Sequence, residues 1–171
     1  MRRILRRREI VADDWLYAQE ISVVDAPAAD SLIVPWAELR ASRRGMVQAP
    51  WRLPPRRLGV RLSPADQVEE LAAELPALAL IAIEFPGPGD GRGFSQARLL
   101  RSRLAFAGEL RAVGAGVKQD LMFLMGRCGF DSYELAAGQS FEAALAALGR
   151  YSVAYQPGAP TASIRAQRYH V

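Results

Sequence analysis

From residue 58 onward, apolar positions alternate between two rhythms. Leu58 to Leu62 is a short apolar run that predicts a strand. Ser63 follows as a helix cap, with Pro64 at the first helical position and Asp66 three residues after the cap. Val68, Leu71, Ala72 and Leu75 fall at i, i+3, i+4 and i+7, which predicts one face of a helix ended by Pro76. Leu78 to Phe85 is almost unbroken in its apolarity, as a central parallel strand covered on both faces requires. The alternation continues with a helix over Ser95 to Leu104 (Ala97, Leu100 and Leu104 inward) and a strand over Glu109 to Val113. A helix over Val117 to Cys128 comes next, with Val117, Leu121, Leu124, Met125 and Cys128 inward, and Gly129 stands where a left-handed terminating residue belongs. Asp131 to Leu135 reads as a strand, Ser140 caps a helix with Phe141, Ala144, Leu145 and Leu148 on one face, and Tyr151 to Tyr155 reads as a last strand.

The first 57 residues have a different texture. Ile4-Leu5 and Glu9-Ile10-Val11 flank charged residues, and Asp13-Asp14 read as a turn before Trp15-Leu16-Tyr17, which together predict a small β-hairpin or ribbon. Leu32 to Val34 predicts a short strand and Trp36 to Ser42 a helix; residues 43–57, rich in Arg and Pro, read as a connection. Strands alternating with helices of about ten residues imply βα units and a mainly parallel sheet. Four or five units are too few for a complete eight-stranded barrel, so a partial TIM-like barrel and an open doubly wound sheet both fit. The expected organisation is one α/β domain over 1–156: a ribbon, short strand and connection (1–57), then the βα core (58–156). Residues 157–171 read as a flexible tail.

Composition narrows the chemistry. Half of the 171 residues are hydrophobic, enough for a sizeable core, and no apolar run is long enough for a membrane span. The N-terminal arginines are followed by Glu9, Asp13 and Asp14 where an export signal would be apolar, so a cytoplasmic protein is expected. One cysteine (Cys128) and one histidine (His170) leave an intrachain disulfide, a Cys/His zinc centre and a histidine triad without their residues; no metal site is expected. Residues 1–61 hold 12 arginines against 7 acids, while the remainder is close to neutral. Those arginines alternate with acids, which reads as a solvated face rather than a nucleic-acid surface.

Three places could carry chemistry. The loop Pro86-Gly87-Pro88-Gly89-Asp90-Gly91-Arg92-Gly93 follows the most buried strand and precedes a helix; Asp90, Gly91, Arg92, Gly93, Ser95 and Arg98 could hold an oxyanion or a partner's acidic group there. It is not a P-loop, since no Gly-Lys-Ser/Thr ends it. Glu84, Arg111 and Glu134 lie on three consecutive predicted strands and suggest an ionic row, either structural or a site. Val113-Gly114-Ala115-Gly116-Val117, with Glu134 downstream, is a partial dinucleotide motif in which Gln119 replaces the third glycine. Cys128 sits on an apolar helix face and reads as packing.

Two long stretches resemble a known bacterial family. They are Glu84-Phe85-Pro86 with Asp90 to Arg101 (DGRGFSQARLLR), and Gly108 to Gly114 (GELRAVG) with Arg127-Cys128-Gly129-Phe130-Asp131, Tyr133-Glu134-Leu135 and Ser152 to Gln156. Ala12 to Trp15 and Leu58 to Leu62 are similar as well. The chain resembles a family of uncharacterised function whose members carry the label "oxidoreductase probably involved in sulfite reduction". The resemblance implies a setting beside assimilatory sulfite reductase and its haem subunit. It implies no catalytic residue. Three readings stay open: an accessory protein binding an oxyanion or the reductase, a flavin- or nicotinamide-dependent oxidoreductase of the same pathway, and a homodimeric structural module.

Overall fold

The computed structural model describes residues 2–18, 30–46, 55–87 and 89–150. Eight strands form one sheet: β1 (Arg3–Arg6), β2 (Glu9–Ala12), β3 (Leu16–Tyr17), β4 (Ser31–Pro35), β5 (Arg57–Leu62), β6 (Leu78–Glu84), β7 (Glu109–Val113) and β8 (Ser132–Tyr133). Their order is β2-β1-β8-β7-β6-β5-β4-β3. From β3 to β8 the strands are parallel and in chain order; β1 joins β8 antiparallel and β2 closes a hairpin on β1. The helices are α1 (Trp36–Arg43), α2 (Arg92–Ser102), α3 (Met122–Cys128) and α4 (Phe141–Leu148).

Chain connectivity forces this sheet to curl. Eight strands spaced about 4.8 Å apart would put β2 and β3 roughly 34 Å from each other if flat. Only Asp13, Asp14 and Trp15 join them, a reach of about 14 Å at most. The result is a partial barrel, and of the two architectures the periodicity allowed, the open doubly wound sheet is set aside. The joining segment crosses the concave face: Asp13 meets Arg111 on β7, Asp14 meets Arg57 on β5, and the Trp15 ring lies on Gly59. A Cβ at Gly59 would stand 3.1 Å from that ring and 3.2 Å from the Leu80 carbonyl, so the glycine makes room for the tryptophan.

Alternation along the strands divides the core in two. The convex face carries Val34, Val60, Ile81, Ile83, Leu110 and Ala112, covered by Leu39, Ala97, Leu100, Met122, Met125 and Ala144 from the helices. The concave face has a small apolar layer of Trp15, Tyr17, Ile33, Leu80, Ala82 and Val113. Central β6 is buried on both faces, as its unbroken apolar run required.

Several expected elements differ in detail. The N-terminal hairpin exists, but its turn is Arg7-Arg8, both at positive φ (49° and 66°), and Asp13-Asp14 is the crossing rather than a turn. Two consecutive positive φ values give the turn a twist that matches the strands. The segment after Ser63 is not an α-helix: it makes two short 3-10 turns, Val68–Leu71 and Leu75–Ala77. The cause is competition for its first carbonyls. Gln96 Nε2 donates to both Ser63 O and Asp66 O at 2.9 Å, and the Asp66 carboxylate accepts from Ser63 N and Oγ. Helix α2 begins at Arg92, three residues early, because the Asp90 carboxylate accepts from Arg92 N. The next helix opens as a 3-10 turn at Gln119–Leu121 before α3. Each 3-10 residue advances about 120° rather than 100°, so the buried face becomes Met122 and Met125 and Leu124 points outward, 46% exposed. Gly129 ends α3 at φ 102°, and Ser140 Oγ accepts from Ala143 N at the start of α4, both as expected. The predicted strand 151–155 and tail 157–171 lie outside the described residues, as do 47–54 of the connection.

The crossing segment is held by a fully buried ion pair. Removing one partner of such a pair leaves an uncompensated charge. Asp13→Ala is expected to destabilise the protein by about 3–5 kcal/mol in urea titration, more than Asp14→Ala, whose carboxylate is 45% exposed.

Candidate functional site

Charged side chains line the concave face in matched numbers. Arg111 is 0% exposed; its Nη1 donates to both Asp13 oxygens at 2.9 and 3.0 Å and its Nη2 to Glu109 Oε1 at 3.0 Å. Ser132 Oγ donates to the same Glu109 oxygen at 2.5 Å. Arg2 Nε donates to Asp13 Oδ2 at 2.9 Å and its Nη2 to Trp15 O at 3.0 Å. Arg6 pairs with Asp14 at 2.8 Å and with Glu109 at 3.4 Å, Arg57 with Asp14 at 2.5 Å, and Arg61 with Glu84 at 2.9 Å. With Arg2–Glu134 at 3.8 Å, five arginines meet five carboxylates. Each of these ten charged groups has an opposite partner, the arrangement that makes buried charge tolerable.

Its upper end lies where ligands meet parallel α/β sheets, at the carboxyl ends of the strands. Glu84 ends β6 beside Val113, and Glu134 follows β8, its N–H donating to Ala112 O at 2.9 Å. Arg61 leaves β5 beside Ala82. Tyr17, at the end of β3, donates its hydroxyl to Glu134 Oε2 at 3.0 Å, and the Arg2 and Arg61 guanidinium carbons lie 4.5 and 6.0 Å from its ring centroid. Burial, with the Glu134 carboxylate beside it, pushes the Tyr17 hydroxyl well above the ordinary phenol value, so it stays a donor at neutral pH. Arg2, Arg61, Glu84 and Glu134 are each 27–29% exposed, within reach of solvent.

The expected ionic row is therefore rearranged. Glu84, Arg111 and Glu134 share the concave face, but they do not pair with one another; Arg111 is bound lower down by Asp13 and Glu109, while the two glutamates hold Arg61, Arg2 and Tyr17 near the rim. Sequence reasoning found three of the participants and missed Arg2, Arg6, Asp13, Asp14, Tyr17, Arg57, Arg61 and Glu109. A signal existed for Arg61, a charge inside an apolar strand, two positions from a glycine and so on its face.

The Asp90 to Arg98 loop and helix are tied to themselves. Asp90 pairs with Arg92 through both oxygens, at 3.0 and 2.6 Å, and the guanidinium holds the carboxyl below its usual range. Asp90 thus already supplies the anion that the start of α2 favours. Gly91 precedes the helix, and Gly93 is a packing requirement: a Cβ there would come within 2.6 Å of the Phe85 ring. Gln96 and Arg101 are also turned inward; Arg101 donates to the carbonyls of Phe106, Gly108 and Gly129 and pairs with Asp131. Ser95 and Arg98 are exposed.

The partial dinucleotide motif serves packing too. Cβ atoms at Gly114 and Gly116 would meet the Phe85 and Gly87 carbonyls at 2.6 and 2.7 Å, and Gly116 N donates to Phe85 O. The loop lies against its neighbour, and a 3-10 turn follows where the motif needs a helix start, so these residues do not fit a pyrophosphate. Burial raises the Cys128 thiol, against the pull of Arg98 and Arg127, which suits packing rather than nucleophilic work. Among the described residues, no group of three or more His, Cys, Asp or Glu could hold a metal ion, and no helix is long and apolar enough to cross a membrane.

Curled parallel strands with an antiparallel N-terminal hairpin and a lumen lined by ion pairs define an α/β partial-barrel protein. Residues 59–164 match the model of the bacterial protein of unknown function family DUF934, and the chain belongs to that family. No curated protein and no solved structure matches it.

The Asp14 carboxyl gives the lumen a pH signature. Burial raises it, but hydrogen bonds from Arg57 and Arg6 outweigh that and hold it far below its ordinary value. A depressed folded-state value means stability present above about pH 4 and lost on acidification below it. Asp14→Asn is expected to flatten the fall in Tm between pH 4 and pH 2 relative to the parent, read by thermal melts across that range.

Proposed function

We propose that the protein is an accessory component of assimilatory sulfite reduction in the cytoplasm, docking an acidic surface of the reductase, its haem subunit foremost, through the outward face of α2. The observation behind this reading is how α2 divides. Gly93, Gln96, Ala97, Leu100 and Arg101 point inward, each with a packing or hydrogen-bonding task. The outward half carries Arg92, Ser95, Arg98 and Ser102, and the helix contains no acid. The run that marks the family is thus accounted for by packing on one side only. The family resemblance supplies the setting in sulfur assimilation. A partner's acidic surface suits this face better than a small oxyanion, because Asp90 already neutralises Arg92 and accepts from its backbone N–H. A solvent-screened surface pair of this kind is weak, so a larger acidic surface can compete for Arg92. Charge complementarity of this sort acts chiefly on association rate and is weakened by salt.

Arg92→Glu with Arg98→Glu is expected to weaken binding to the purified haem subunit at least about tenfold in biolayer interferometry, with Tm nearly unchanged. Undiminished binding by this double variant would remove α2 as the docking face, and no binding by the parent chain would remove the partner.

A further inference from the structure

The rim of the lumen is a second place, independent of α2, where packing leaves charge within reach. Four charged side chains and Tyr17 converge there from β3, β5, β6, the segment after β8 and the N-terminus. Val113 stands beside Glu84 and Ala82 beside Arg61 on the same face, and with the Tyr17 ring they belong to the small apolar cluster of the lumen. A few convergent polar groups among apolar neighbours, at the carboxyl ends of parallel strands, are the usual construction of a small-molecule site.

The charges restrict what could enter. Arg61 balances Glu84, and Arg2 is balanced by Asp13 and Glu134. A net anion or cation would leave one partly buried partner uncompensated. A zwitterion would not: it opens an ion pair and satisfies both halves. Arg61 and Glu84 arise from neighbouring strands and touch at 2.9 Å, so the ligand's opposite charges must be close together. Arginine presents a planar fork suited to a carboxylate, and Glu84 accepts from an ammonium. Adjacent Tyr17 is fixed by its bond to Glu134 and by the arginines over its ring, which makes a rigid wall.

We propose that this rim binds the zwitterionic head of an α-amino acid, with its carboxylate on Arg61 and its ammonium on Glu84. The test is a thermal-shift series on the full chain with each freely soluble common α-amino acid at 10 mM, beside acetate, methylammonium and sulfite at the same concentration. At least one amino acid should raise Tm by about 3 °C, with no matching rise from acetate, methylammonium or sulfite. The rise should vanish in Arg61→Gln. It should also vanish in the exchanged pair Arg61→Glu with Glu84→Arg, which keeps an ion pair but reverses its direction and guards against a variant that merely fails to fold. No rise with any amino acid, an equal rise with acetate or sulfite alone, or a rise that survives Arg61→Gln would each overturn the proposal.

Discussion

The guanidinium of Arg111 is the centre on which the curled sheet depends. It is wholly buried on β7, and it is held by a carboxylate from its own strand and one from the chain's beginning, 98 residues away. A lone charge in that position would cost several kcal/mol. The pairing with Asp13 therefore does more than neutralise it: it fixes where the segment between the hairpin and β3 crosses the lumen. That crossing joins the two edges of the sheet, so one ion pair and one short connection together set the curvature. Curvature in turn brings Arg61, Glu84, Glu134 and Tyr17 to one rim.

A second buried arginine does similar work on the convex side. Arg101 gathers three carbonyls from the turns around β7 and α3 and pairs with Asp131. Burial pulls the guanidinium down and pushes the carboxyl up, each against the attraction of its partner, so the pair ties loops together at an electrostatic cost. The run from Asp90 to Arg101 is mostly a packing element: Gly93 against Phe85, Gln96 on two carbonyls, Arg101 across two loops. A motif can mark a family because its fold needs those residues, whatever the family does.

What could be read from the sequence follows the same physics. Strands β4 to β7 were legible as apolar runs because both faces of a parallel sheet are covered, and the caps Ser140 and Gly129 behaved as local chemistry dictates. The segment after Ser63 was misread because its helical periodicity was outbid by a side chain 30 residues away, Gln96. Leu124 was misplaced because a 3-10 start rotated the face of α3. The candidate site was half visible: Glu84, Arg111 and Glu134 stood out as charges on apolar strands, but their partners could not be paired without knowing that the chain's beginning folds back into the lumen. The Arg7-Arg8 turn carries none of the usual Asn-Gly chemistry, so only the flanking strands revealed the hairpin.

The crossing segment also sets an order of events during synthesis. A ribosome releases Asp13 long before Arg111, and at about 5–20 residues per second the delay is roughly 5–20 s. Through that interval the hairpin has no β8 to join and Asp13 has no Arg111 to pair with. The first strands made are therefore among the last to find their places. Closure of the sheet is a late, long-range step, of the kind that makes folding slow.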